Sequence, residues 1–317
     1  MKLHDSSVRI GIWSLELRFG DRQEAAEAAA ELDELGYSAL WIPGGIGGDV
    51  LGDVDRLIGA TKRPVIATGI LNIWKHEPRD VAQWWRNLPE ERRSRALIGL
   101  GVSHSPVIGE AYRQPLAHMR DYLDKLDEAR VPKDALCLAA LGPKMLELAR
   151  DRTAGAHPYL ATPEHTARAR AVLGPGKLLA PEQGVILETD PTRARAIARK
   201  ALERYLRLPN YVNNWRRLGF SDEDIANTSD PFVDALFFWG SAETIARRVN
   251  EHLSSGADHV CLQVITGAGV SVAAARPAWR ELAAALIPRW RLILDKRRNM
   301  LPGDGLHSNT SKRPGSP

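Results

Sequence analysis

The sequence predicts a single (β/α)₈ barrel with an insertion before its last strand. Three observations lead there. Short apolar or β-branched runs alternate with longer helical stretches along most of the 317 residues, which is the pattern of a parallel α/β fold. About eight such runs occur, the number a closed barrel needs. Apolar residues make up 44% of the chain and charged residues 26%, a balance that supports a substantial core. One α/β barrel routinely occupies about 250 residues.

Residues 8–13 (VRIGIW) read as a short buried strand. A helix follows from Asp21, an N-cap residue with Glu24 three positions on, to Leu35, and Gly36 stands where a helix can stop. A second strand over 37–42 runs into the glycine loop Pro43-Gly44-Gly45-Ile46-Gly47-Gly48. Further strands are predicted over 65–71, 96–101, 136–141, 155–160, 184–187 and 259–265. The helices between them include 115–129, 143–151, 163–173, 191–205 and 242–255. Several open with proline in the first turn, where its missing N–H is no loss. Between 207 and 240 the alternation breaks into a polar stretch containing Tyr211, Trp215 and Phe220. A segment this long is either a lid over a binding site or a pair of surface helices. The barrel is assigned to 8–290, and the basic, then Gly/Ser/Pro-rich stretch 291–317 to a disordered tail.

The formal charge of +4 is small and part of its excess gathers in that tail. A nucleic-acid footprint needs basic residues along one face with stacking aromatics, and none is visible. The two cysteines, Cys137 and Cys261, stand far apart inside apolar runs and read as small core residues, so neither a disulfide framework nor a zinc site is expected. The polar start and the lack of any run near the roughly 18 apolar residues of a membrane helix point to a cytoplasmic protein with no membrane partner.

Active sites of such barrels are built from loops at the C-terminal ends of the strands, so candidates are sought there. Strand three ends in Thr68-Gly69-Ile70-Leu71-Asn72, strand four in Gly101-Val102-Ser103-His104, strand five in Leu141-Gly142-Pro143-Lys144, and strand six in the run from His157 to Thr162. The loops after strands five and six each open a helix at a proline and expose backbone N–H groups suited to an anion. Gly142 would allow close approach, Lys144 would add charge and Thr162 a hydroxyl. The same residues serve equally as plain helix caps, and spacing alone favours that reading. His76, His104 and His157 lie at strand ends. His104, directly after Gly-Val-Ser, is the candidate proton donor, with a ring contact as the equal alternative. No pair of these histidines shares a ligand spacing with carboxylates, so no metal is expected. Trp13 and Trp74 could line a flat apolar pocket, whereas Trp41 lies within its strand and reads as barrel packing.

The runs Ala67-Thr68-Gly69-Ile70-Leu71-Asn72-Ile73-Trp74, Leu100-Gly101-Val102-Ser103-His104 and Ala139-Ala140-Leu141-Gly142-Pro143-Lys144, with His157-Pro158-Tyr159 and Leu208-Pro209-Asn210-Tyr211, carry a resemblance. Over residues 8 to 290 the chain resembles the luciferase-like family, in particular an actinobacterial group of F420-dependent oxidoreductases. The resemblance implies a barrel of the bacterial-luciferase type and coenzyme F420 as hydride carrier for an organic small molecule. FMN in a monooxygenase of the same superfamily, or a relative that only carries a cofactor, is the alternative. It further implies a non-proline cis peptide at Gly69-Ile70 supporting the ring and a homodimer formed through outer helices, where Trp84-Trp85 is available, though the pair could equally pack inside the monomer. The implied cofactor contacts are Thr68, Gly69, Ile70, Asn72, Gly101, Ser103, Leu141, Gly142, Pro143, Lys144, His157 and Thr162. In two places the chain departs from the family pattern: Pro43-Gly44-Gly45 stands where relatives often place an acid, and 89–95 is unusually charged.

Overall fold

The computed structural model of the chain describes Leu3, residues 6–45 and residues 47–287. The predicted tail at 291–317 lies outside the described residues, as do the last three residues assigned to the barrel and Ile46 of the glycine loop.

All strand pairings are parallel. In chain order the strands are β1 (Ile10–Trp13), β2 (Ala39–Gly44), β3 (Val65–Asn72), β4 (Ala96–Gly101), β5 (Leu136–Leu138), β6 (Gly155–Ala156), β7 (Leu178–Leu179), β8 (Glu182–Ile186), β9 (Phe237–Trp239) and β10 (Val260–Val264). Their lateral order is β7-β6-β5-β4-β3-β2-β1-β10-β8-β9. Only Ala180 and Pro181 separate β7, which pairs with β6, from β8, which pairs with β10. The amide of Cys261 bonds the Pro181 carbonyl and that of Glu182 the Pro158 carbonyl. The stretch from Leu178 to Ile186 therefore acts as one seventh strand that closes the sheet on itself. β9 takes the edge of β8 above the point where β6 has ended.

Local chemistry sets the helix ends. Asp21 caps helix Arg22–Leu35 by accepting from the amides of Gln23 and Glu24, and Gly36 ends it at φ +91°, a conformation that suits glycine. Helices Pro143–Arg152, Pro163–Leu173 and Pro191–Leu202 each start at the expected proline. The main core lies between the strands and the helical ring, with Ile12, Leu40, Ile66, Leu100 and Leu262 fully buried. The lumen is packed separately by Trp41, Ala67, Cys137 and Cys261. Trp41 is thus a packing residue, as its place inside a strand suggests, and both cysteines are buried free thiols. Trp85 belongs to the core and Trp84 donates to Asp55 at 3.2 Å, so this pair packs within the chain.

The insertion between β8 and β10 is helical. Pro209–Arg217, Asp222–Asn227 and Asp230–Leu236 precede β9 and share an apolar cluster of Tyr211, Trp215, Ile225 and Phe232 with helix Pro191–Leu202. Among the described residues no helix is long and apolar enough to cross a membrane.

Candidate active site

A cavity of about 680 Å³ opens at the C-terminal ends of the strands, between the barrel mouth and the helix Pro209–Arg217. Its floor comes from a break in the sheet. The register of β3 shifts against β4 between Ala67 and Leu71, and the peptide Gly69-Ile70 inside that bulge is cis. Gly69 lies against the Trp13 indole, whose Nε1 donates to the Gly69 carbonyl at 3.2 Å. A Cβ at Gly101 would meet Ile70 Cδ1 at 2.5 Å. The two glycines leave a flat surface made of backbone, the Ile70 side chain and the Trp13 ring, which a planar ligand can approach closely.

One end of the cavity is cationic. Helix Pro143–Arg152 opens there, preceded by Gly142, and an added Gly142 Cβ would stand 3.8 Å from Arg217 Nη2. Lys144 and Arg217 line the cavity here, Arg204 lines it beside the Tyr205 ring, and among the described residues no aspartate or glutamate does. Burial lowers the Arg217 pKa, as expected for a cation held without a counter-charge.

Another part of the lining is aromatic and polar. Trp13 and Tyr159 have ring centroids 5.5 Å apart, Tyr159 and Tyr205 5.6 Å, and Tyr205 and Tyr211 5.2 Å. Burial holds the phenol pKa values of all three tyrosines above their ordinary value.

His104 stands at the mouth, just after Ser103, which adopts φ +55°. Its ring lies 5.2 Å from that of Tyr211, and burial lowers its pKa. The Asn210 carboxamide nitrogen is 3.4 Å from His104 Nδ1 and 3.2 Å from the Ser103 carbonyl. An amide nitrogen only donates, so Nδ1 accepts and the neutral ring carries its proton on Nε2.

His157 lies under the floor. It stacks on Trp41 at 4.2 Å and its Nδ1–H donates to the Ala180 carbonyl at 2.7 Å. Burial drives its pKa down to about 4. Nε2 is left as an unprotonated, unpartnered acceptor that an added Gly69 Cβ would approach to 3.0 Å.

Of the residues singled out in the sequence, His104, Gly69, Ile70, Gly101, Ser103, Leu141, Gly142, Pro143, Lys144 and His157 all border this cavity. Thr68, Asn72 and Thr162 do not. The Thr68 hydroxyl donates to the Gly99 carbonyl at 2.9 Å, Asn72 Oδ1 accepts from the Trp74 amide, and Thr162 caps its helix by accepting from the His165 amide. The loop after β5 thus reaches the cavity with its helix start, while Thr162 of the next loop does not. Trp74 also turns away, stacking on His118 at 4.0 Å. His76 lies outside the lining too, its carbonyl held by the Tyr122 hydroxyl. Sequence reasoning missed Arg204, Tyr205, Asn213, Arg217 and Gln263. A glutamine within the apolar run 259–265 was the one visible signal among them.

The family model for luciferase-like monooxygenases matches residues 8–259. This chain belongs to that family. None of the curated proteins matches. Among solved structures, an F420-dependent secondary alcohol dehydrogenase in complex with an F420-acetone adduct superposes with a TM-score of 0.68 at 16% identity, over 90% of this chain and 100% of that one. The coenzyme F420-dependent tetrahydromethanopterin reductase from Methanopyrus kandleri gives 0.62 at 16%, over 90% and 100%. The oxygenating constituent of 3,6-diketocamphane monooxygenase from Pseudomonas putida, in complex with FMN, gives 0.64 at 15%, over 89% and 98%. At these identities the likeness establishes a shared fold. The luciferase-like chain has the barrel its sequence predicts, with the cavity at the strand ends where such barrels carry their chemistry.

Proposed function

We propose that this luciferase-like protein is an F420-dependent oxidoreductase that moves a hydride between the deazaflavin and a small organic substrate. The observation that carries the reading is the charge of the cavity: among the described residues three cations line it and no carboxylate does. A cofactor with a planar ring and a phosphate-bearing tail fits both ends. Gly69, Ile70 and Gly101 would support the ring. Lys144, Arg217 and the start of helix Pro143–Arg152 would hold the phosphate, through charge and through free backbone N–H groups. When bound, the coenzyme supplies two-electron chemistry at ring carbon C5. The protein's part is to orient the two reactants, keep water out beneath the 209–217 helix, which serves as the lid, and place a proton donor at His104.

Fluorescence titration of the purified chain with F420 and, separately, with FMN tests this. Micromolar F420 binding that weakens with added salt is expected. Binding of FMN instead, together with oxygen consumption dependent on reduced FMN, would replace the reading with that of a flavin monooxygenase.

A further inference from the structure

Gln263 lies on β10, four places round the closed sheet from β4, and so faces Gly101 across the barrel mouth. Its carboxamide oxygen is engaged by a pair of phenols. The Tyr159 hydroxyl donates to Gln263 Oε1 at 2.7 Å, and the Tyr205 hydroxyl stands 3.0 Å from that of Tyr159. Having given its proton to Gln263, the Tyr159 hydroxyl accepts from Tyr205. With Oε1 engaged by the phenol pair, Nε2 is the carboxamide atom left for a ligand. Gln263 Nε2 has no acceptor on the protein among the described residues, and Gln263 lines the cavity. Two N–H donors are therefore offered to whatever fills the space between Trp13, Tyr159 and Tyr211.

That space selects a chemistry. Aromatic rings wall it, which favours an apolar body. Its polar feature beside Trp13 and Tyr159 is the carboxamide donor, which calls for an acceptor oxygen; the cation Arg204 lies further out, over the Tyr205 ring at 5.3 Å. We infer that Gln263 is the substrate-orienting residue, donating through Nε2 to the oxygen of a compact carbonyl or hydroxyl compound seated against Trp13 and Tyr159. Both oxidation states of such a compound keep a lone pair for this bond, so the contact serves binding in either direction of turnover. That this oxygen belongs to the reacting group rests on the hydride-transfer reading above; the binding itself does not.

The test uses the full chain with cyclohexanone and with methylenecyclohexane, which has the same shape but no oxygen. Affinities come from tryptophan fluorescence, and the Gln263 side-chain amide resonance is assigned on the native chain from its through-space contacts with the Tyr159 ring. Cyclohexanone should bind about tenfold more tightly than the alkene, the usual effect of one well-placed hydrogen bond, and should shift the Gln263 resonance. Gln263→Met should abolish the preference, and Tyr159→Phe, which removes the partner of Oε1, should reduce it. Equal affinity for the two probes, no binding of either at millimolar concentration, or an unmoved Gln263 resonance overturns the inference, and the resonance readout on the native chain holds even if a variant fails to fold. F420 titrated separately keeps the two readings apart: a chain that prefers the ketone yet ignores F420 retains this inference and loses the proposed function.

Discussion

The Asn210 carboxamide nitrogen lies 3.4 Å from His104 Nδ1 and so determines which ring nitrogen of His104 carries the proton. The contact joins the insertion to the loop after β4, and it leaves a neutral imidazole with Nε2–H free to donate. Replacing His104 with Ala should leave F420 affinity nearly unchanged and lower turnover by roughly 10²-fold, the usual loss on removing one hydrogen-bond donor to charge that develops on a reacting oxygen. Asn210→Ala, which releases the tautomer but keeps the ring, should cost less. Because burial lowers the His104 pKa from 6.5, its protonation state should not change above that pH, and any effect on rate should appear on the acid side. Loss of F420 binding with an unchanged chemical step would make His104 a ring-positioning residue.

At the cationic end, Arg217 and Lys144 have separate origins, one on the insertion and one at the start of the helix after β5. If both meet the cofactor's phosphate, Arg217→Ala and Lys144→Ala should each raise the dissociation constant about tenfold or more, the usual loss for a charge-assisted hydrogen bond. Each variant should also bind with a shallower dependence on salt. Titrations at two ionic strengths check this, and a salt dependence equal to that of the native chain would place the phosphate elsewhere.

Two glycines of β4 should respond differently to the same substitution. A Cβ at Gly99 would collide with the Thr68 carbonyl oxygen, whereas one at Gly101 meets the far end of the Ile70 side chain. Backbone cannot yield as a methyl group can. Gly99→Ala should therefore lower the melting temperature markedly or prevent folding. Gly101→Ala should fold with a small loss and chiefly weaken F420 binding by raising the floor. Thermal melts and cofactor titrations on the two variants separate these outcomes.

Much of the frame was legible because local rules dictate it. Strand 96–101 and helix 163–173 lie at the predicted residues, one a clean apolar run and the other opened by Thr-Pro. Strands five and six were read too long, to 141 and 160, where pairing stops at Leu138 and Ala156. The residues beyond, Ala139, Leu141 and Tyr159, are apolar because they wall the cavity, and periodicity cannot separate a lining from a strand. The seventh strand was read too short for the opposite reason. Glu182 and Gln183 are polar yet buried, and β7 is too brief to show a pattern. At the site, the hydroxyls of Thr68 and Thr162 looked available but serve the backbone. Arg217 and Gln263 went unseen because only the folded chain brings the insertion and β10 to the same cavity.

The buried ionisable groups predict a stability profile with a maximum. His157, His252 and His259 have pKa values pushed down by burial from 6.5 to about 4, 3 and 3. Above 6.5 each is neutral folded or unfolded; as pH falls below it, the unfolded chain takes up protons that the folded chain refuses, and stability drops. Glu182 acts in the other direction. Burial raises its pKa from 4.5 to about 8, so it stays protonated in the folded chain while the unfolded chain ionises. Its contribution is complete below pH 4.5 and is lost as pH rises to about 8, at close to 1.4 kcal/mol per pH unit. Between 4.5 and 6.5 the three histidines outweigh the one glutamate, and above 6.5 only the glutamate remains among these four groups, so stability should peak near pH 6.5. Glu182→Gln cannot ionise and should remove the loss that Glu182 imposes between pH 4.5 and about 8. The melting temperature of the variant relative to the native chain should then climb steadily from pH 5 to pH 8. A difference that stays flat across that range would mean that Glu182 is ionised and compensated in the folded protein, which its unpartnered Oε1 argues against.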